Sequence, residues 1–131
     1  MDISDVNIKK IKEVLRNEKI IVAAFLHGSV LTKNFREDSD IDIGILSVSG
    51  EKMSLQKKIE LSSKLSLITK REIHIGELRH DALVFAKEVI ENGQLLFTKD
   101  RYYTDMFIAI SLSMYAELQQ TRKEVIDAYR T

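Results

Sequence analysis

The stretch AAFLHGSVLTKNFREDSDIDIGIL, residues 23–46, decides the reading of this chain. An apolar run ends in the small pair Gly28-Ser29. Ten residues of mostly polar turn follow, and Asp40-Ile41-Asp42 then opens a second apolar run. Strand side chains alternate with a period of two, so Asp40 and Asp42 point to one face. Two carboxylates that close repel each other unless a cation lies between them. Gly28 allows a close backbone approach, and Ser29 adds a hydroxyl where a phosphate can dock. The competing reading is a tight turn followed by a solvated strand edge.

On these residues the chain resembles the minimal nucleotidyltransferases, the smallest members of the DNA polymerase β-like superfamily. Their signature is Gly-Ser, ten residues, Asp-x-Asp, met here by Gly28, Ser29, Asp40 and Asp42, with Ser39 before the first acid. The resemblance runs from about Ile20 to Lys99 and includes AKEVIENGQLLFTKD, which is similar to the closing helix, Asn-Gly turn and short strand of that domain. It implies an α/β (α+β) fold, a small mixed sheet backed by helices. It also implies ATP as substrate and a two-ion magnesium site held by Asp40 and Asp42. Gly28 and Ser29 would bind the nucleotide's phosphates, with Lys33 and Arg36 as candidate phosphate cations; the plain alternative for those two is a solvated loop. Where many relatives carry Arg-Gly, this chain has Thr32-Lys33.

Relatives usually place a third catalytic acid on the next strand, and counting back from AKEVIENG puts His74 there. An imidazole can ligate a metal or accept a proton near neutral pH. It does not restore the missing negative charge, and Glu72 lies two residues earlier on the same strand face. The alternative for His74 is a structural histidine in a weakened site. His27, before the Gly-Ser pair, reads as a pocket-lining or structural residue, and His80 as part of a turn or helix start.

The 131 residues are expected to form one domain, with a core over about 20–99 and a C-terminal helix over about 101–129. Twenty basic and twenty acidic residues give zero formal net charge, so no overall field draws in an extended nucleic acid. There are no cysteines, which excludes disulfides and thiolate metal sites. The start, Met1-Asp2-Ile3-Ser4-Asp5, is acidic and unlike a signal peptide, and no apolar run is of membrane-spanning length. A cytoplasmic location is the expectation.

Along the chain, helical periodicity is expected over 3–18, capped by Ser4 and striped by Ile8, Ile11, Val14 and Leu15. Strands are expected over 20–27, 40–48, 71–78 and 94–98. A turn opening a short helix fits 28–35. After Gly50 a helix over 51–69 presents Leu61, Leu65 and Ile68. On the third strand Ile73, Ile75 and Leu78 are assigned to one face, and Glu72, His74 and Gly76 to the other. A helix over 81–91 ends at Asn92-Gly93, read as a left-handed cap.

The last helix carries Met106, Phe107, Ile108, Ile110, Leu112, Met114, Tyr115 and Leu118 over most of its circumference. One stripe would suffice for a surface helix. Either the helix is sandwiched in its own core or residues 106–118 contact another chain. Tyr102 and Tyr103 would sit at the rim. Within the resembled family, stand-alone domains of this size are often antitoxins. They transfer AMP from ATP to a tyrosine of a HEPN-domain ribonuclease toxin. The expected partner is therefore a HEPN toxin, and a homodimer through the C-terminal helix is the other association considered. Two alternatives remain: a catalytically degenerate antitoxin that neutralises by complex formation, and a small-molecule adenylyltransferase.

Overall fold

In the computed structural model, which describes residues 7–49 and 51–130, four helices pack on a four-stranded mixed sheet. The order is α1 (Ile8–Arg16), β1 (Ile21–His27), a 3-10 turn (Gly28–Leu31), β2 (Ile41–Ser47), α2 (Leu55–Thr69), β3 (Ile73–Glu77), α3 (Leu83–Asn92), β4 (Gln94–Thr98) and α4 (Arg101–Arg130). In space the strands run β3-β2-β1-β4. β1 pairs antiparallel with β2 and β4, while β2 and β3 are parallel. The parallel pair needs a crossover, and α2 provides it. No helix among the described residues is long and apolar enough to cross a membrane.

Both sheet faces are covered, which explains why β1 is an unbroken apolar run. On one face α1 and α2 bring Ile11, Leu15, Leu61 and Leu65 against Ala24, Leu26, Ile41, Ile43, Ile45 and Ile73. On the other, Ala86 and Val89 of α3 and Phe107 of α4 meet Ala23, Phe25, Leu46 and Leu78. Within β2 only Asp42 escapes burial. Gly76 lets α3 lie close, since a Cβ there would stand 2.6 Å from the Phe85 ring.

Several local expectations need correction. The first described helix starts at Ile8, and the proposed Ser4 cap and the Gly50 break lie outside the described residues. α2 starts at Leu55, not 51, because the Ser54 side chain accepts from Lys57 N at 3.1 Å and caps it there. Residues 28–35 hold a single 3-10 turn, closed by Thr32 N and Oγ1 donating to Ser29 O. Leu78 packs on the α3/α4 face, opposite Ile73 and Ile75. The period of two puts Glu77 on their side instead, where it accepts from Met53 N at 2.7 Å and pairs with Lys58 at 3.1 Å. Gly93 has φ −85 and is not a left-handed cap; a side chain there would strike the carbonyl of Val89. The left-handed cap belongs to Lys70, φ 58, at the end of α2.

Candidate active site

Three strands bring the site together at one end of the sheet. The register sets Asp42 opposite His27 on β1 and beside His74 on β3. Cross-strand neighbours share a face, so these three side chains form a row on the α3 side. Asp40 stands just ahead of β2, two residues from Asp42 and on the same face.

The Gly28 position is fixed by geometry. Its φ is +80, a backbone shape that glycine adopts without strain, and a Cβ there would overlap Asp42 Oδ2. The turn after β1 therefore lies directly on the second carboxylate, with Ser29 partly exposed beside it. Asp42 faces the Gly-Ser turn, while Asp40 faces β3. His74 Nε2 lies 2.9 Å from Asp40 Oδ2 and 3.8 Å from Glu72 Oε1. Asp40, Glu72 and His74 offer three ligand atoms within 4.8 Å of one another. Oxygen and imidazole donors of this kind suit a divalent cation.

The electrostatics follow from that arrangement. The hydrogen bond to Asp40 raises the pKa of His74, desolvation opposes it, and the charges of Asp40, Glu72 and Asp42 add to the rise. The His74 side chain is 54% exposed and that of Asp40 44%, so both are open to a ligand and their pairing is screened. His27 behaves oppositely. Burial pushes its pKa down, against the pull of Asp42 and Glu88, and its ring meets Phe85 edge-on at 5.4 Å. It is a half-buried wall of the site.

Lys33 and Arg36 stand exposed on the loop between the 3-10 turn and β2. That loop is held by a residue the sequence reading did not single out. Arg71, buried just before β3, donates from Nη1 to Arg36 O at 2.5 Å and Ser39 O at 3.0 Å. Its guanidinium also lies 4.1 Å from the centre of the Phe35 ring. Ser39 Oγ accepts from Arg36 N at 2.8 Å, and Ile41 N donates to Glu72 O at 2.9 Å. Together these contacts deliver Asp40 to its place. Phe35, alone among polar residues, was the available signal; its cationic partner was 36 residues away and left none.

The family model for polymerase β nucleotidyltransferases matches residues 9–102. Among solved structures, one similar chain comes from a toxin–antitoxin crystallised with AMP-PNP. It is 27% identical, with TM-score 0.79, over 96% of this chain and 100% of that one. Another comes from the MntA-HepT toxin–antitoxin, 26% identical with TM-score 0.72, over 95% and 97%. A third comes from a tri-AMPylated HEPN toxin of Shewanella oneidensis in complex with its MNT antitoxin. It is also 26% identical, with TM-score 0.73, over 95% and 97%. No curated protein matches the chain.

Proposed function

The chain belongs to the polymerase β nucleotidyltransferase family, and on that footing we propose that it transfers AMP from ATP to a tyrosine hydroxyl of a HEPN-domain toxin and so acts as its antitoxin. The observation that carries this reading is the seat of Gly28 against Asp42. It sets a backbone turn directly against Asp42, which shares a strand face with Asp40. The likeness to chains from toxin–antitoxin structures, one crystallised with AMP-PNP and one containing an AMPylated HEPN toxin, supports the choice of nucleotide and partner.

The structure clusters Asp40 with Glu72 and His74; Asp42, two residues along on the same strand face, would join Asp40 in an oxygen donor set of the kind that fits magnesium. When bound, that ion neutralises the triphosphate and stabilises charge as it develops at the α-phosphorus. Asp40 and Asp42 would hold it, while Ser29 and the backbone around Gly28 would bind the β- and γ-phosphates. The phenolic oxygen attacks the α-phosphorus, the bond to the β-phosphate oxygen breaks, and pyrophosphate leaves. On β3, His74 would orient the acceptor hydroxyl or receive its proton, a role that requires Nε2 to leave its hydrogen bond with Asp40.

One observation favours a second reading. His74 occupies an oxygen of Asp40, a ligand that the first reading assigns to the cation. On this second reading the chain neutralises its partner by complex formation alone. Incubation with α-labelled ATP, magnesium and a HEPN-domain partner separates the two. The first reading expects label on the partner, reduced by His74→Ala and kept or raised by His74→Asp. The second expects no label from the natural chain, with inhibition of the partner's ribonuclease intact.

A further inference from the structure

The ligand atoms that converge on Asp40 come from the start of β3. Its Oδ2 lies 2.9 Å from His74 Nε2, which in turn lies 3.8 Å from Glu72 Oε1. The three atoms stand within 4.8 Å of one another, and Asp42 is not among them. The Asp42 carboxylate is turned to the Gly28 turn instead. The proposed transfer pairs Asp40 with Asp42. The triangle of Asp40, Glu72 and His74 is a second arrangement that shares one corner with that pair.

This triangle has the dimensions of a coordination sphere. Donors around a tetrahedral ion with bonds of about 2.0–2.1 Å stand about 3.3 Å apart. The observed 2.9 and 3.8 Å bracket that spacing, and small side-chain rotations close the rest. The backbone beneath is held: Ile41 N donates to Glu72 O at 2.9 Å, and Arg71 Nη1 donates to Ser39 O at 3.0 Å. Charge also favours a cation. Asp40, Asp42 and Glu72 gather three carboxylates, and among the described residues no lysine or arginine forms an ion pair with any of them. All three side chains of the triangle are open to solvent, so an ion can enter and water can complete its sphere.

We propose that Asp40 Oδ2, Glu72 Oε1 and His74 Nε2 bind one late first-row divalent ion, with zinc as the type, in preference to magnesium. Magnesium takes oxygen ligands in near-ideal octahedral geometry and keeps several waters. Zinc accepts an imidazole nitrogen beside carboxylate oxygens, with a fourth position left open. The nitrogen at position 74 is therefore the atom that shifts the choice of metal. The site requires only the folded chain and stands whether or not AMP transfer occurs.

The test uses the metal-stripped chain without nucleotide, titrated with zinc chloride and with magnesium chloride by calorimetry. One zinc should bind about a hundredfold more tightly than magnesium. Amide and imidazole chemical shifts should move most at Asp40, Glu72 and His74. His74→Gln should weaken zinc by at least about tenfold, the loss that even the outer partners of a metal ligand cause. It should leave magnesium binding and the melting of the metal-free chain nearly unchanged, because the side chain is exposed. Glu72→Gln should weaken zinc more than Asp42→Asn does. Zinc binding no tighter than magnesium, full zinc affinity in His74→Gln, or shifts centred on His27 or His80 overturns the proposal. So does a greater loss from Asp42→Asn than from Glu72→Gln, which would place the ion between the two aspartates. Labelling of a HEPN partner is read separately, so failure of this site and failure of the transfer are distinguishable.

Discussion

The start of β2 and the far half of α4 make opposite use of the same chain. At the start of β2, polar groups converge on a fixed point. Asp42 and His74 are placed by strand register, Asp40 by the braced loop ahead of β2, and glycine at 28 is required by the close approach of Asp42. In α4, 30 residues span about 45 Å, yet only Thr104, Phe107 and Ser111 are buried, all in the first three turns. Beyond them Leu112 and Met114 are each 37% exposed, and Val125, Ile126 and Tyr129 stand open. Most helical stability in proteins comes from tertiary packing of an apolar face, and the far half of α4 has little of it. The comparison teaches that one region is completed by its own fold, while the other carries apolar side chains that its own fold leaves uncovered.

The sharpest break in this contrast is the double change Asp40→Asn with Asp42→Asn. It removes both charges at constant volume. Transfer should fall by about a thousandfold, as when charge stabilisation is lost from an active site. Calorimetry should lose magnesium-dependent ATP binding while circular dichroism stays native. Retained binding would move the nucleotide elsewhere.

The next pair separates the two parts of α4. Phe107→Ala opens the second core and should cost about 3 kcal/mol in thermal or denaturant unfolding. Met114→Glu, one turn beyond the last buried residue, should cost no more than about 0.5 kcal/mol in the isolated chain. It should nevertheless weaken association with a HEPN partner by about 2 kcal/mol if that face is an anchor. Size-exclusion chromatography with thermal melts reads both. A folded Met114→Glu chain that still associates at full strength removes this residue from the interface.

Gly28→Ala tests the carboxylate end more gently. The positive φ and the crowding by Asp42 should cost about 1–2 kcal/mol of stability. ATP binding should weaken with it, because the turn is displaced from the carboxylate. Unchanged melting and ATP binding would contradict the tight seat. The smallest effect is expected from ending the chain after Ala116. No described residue in the removed segment is buried, so the melting temperature should shift by about 1 °C or less. A large loss would show that the far half of α4 packs on its own body.

Much of the fold was legible because patterns of two and 3.6 survive in the sequence. Ile8, Ile11, Val14 and Leu15 do pack on the core, and IIVAAFLH is the doubly covered central strand. The misplaced details were those in which several conformations satisfy one local pattern. Asn92-Gly93 suits a left-handed cap equally well, but the close approach of the Val89 carbonyl decides otherwise. Leu78 looked continuous with Ile73 and Ile75 until the period of two was followed through Glu77. Arg71 was silent because its partners Phe35, Arg36 and Ser39 are distant in sequence.

The sequence by itself determined the apolar strand runs, the shared face of Asp40 and Asp42, and the need for glycine before Ser29. Each depends on residues a few positions apart, where backbone geometry leaves few choices. Only the tertiary structure decided that His74 bonds to Asp40, that Arg71 braces the loop before it, and that His80 stacks on Phe107. Those relations join residues from separate elements, and their distances exist only once the helices have closed on both faces of the sheet.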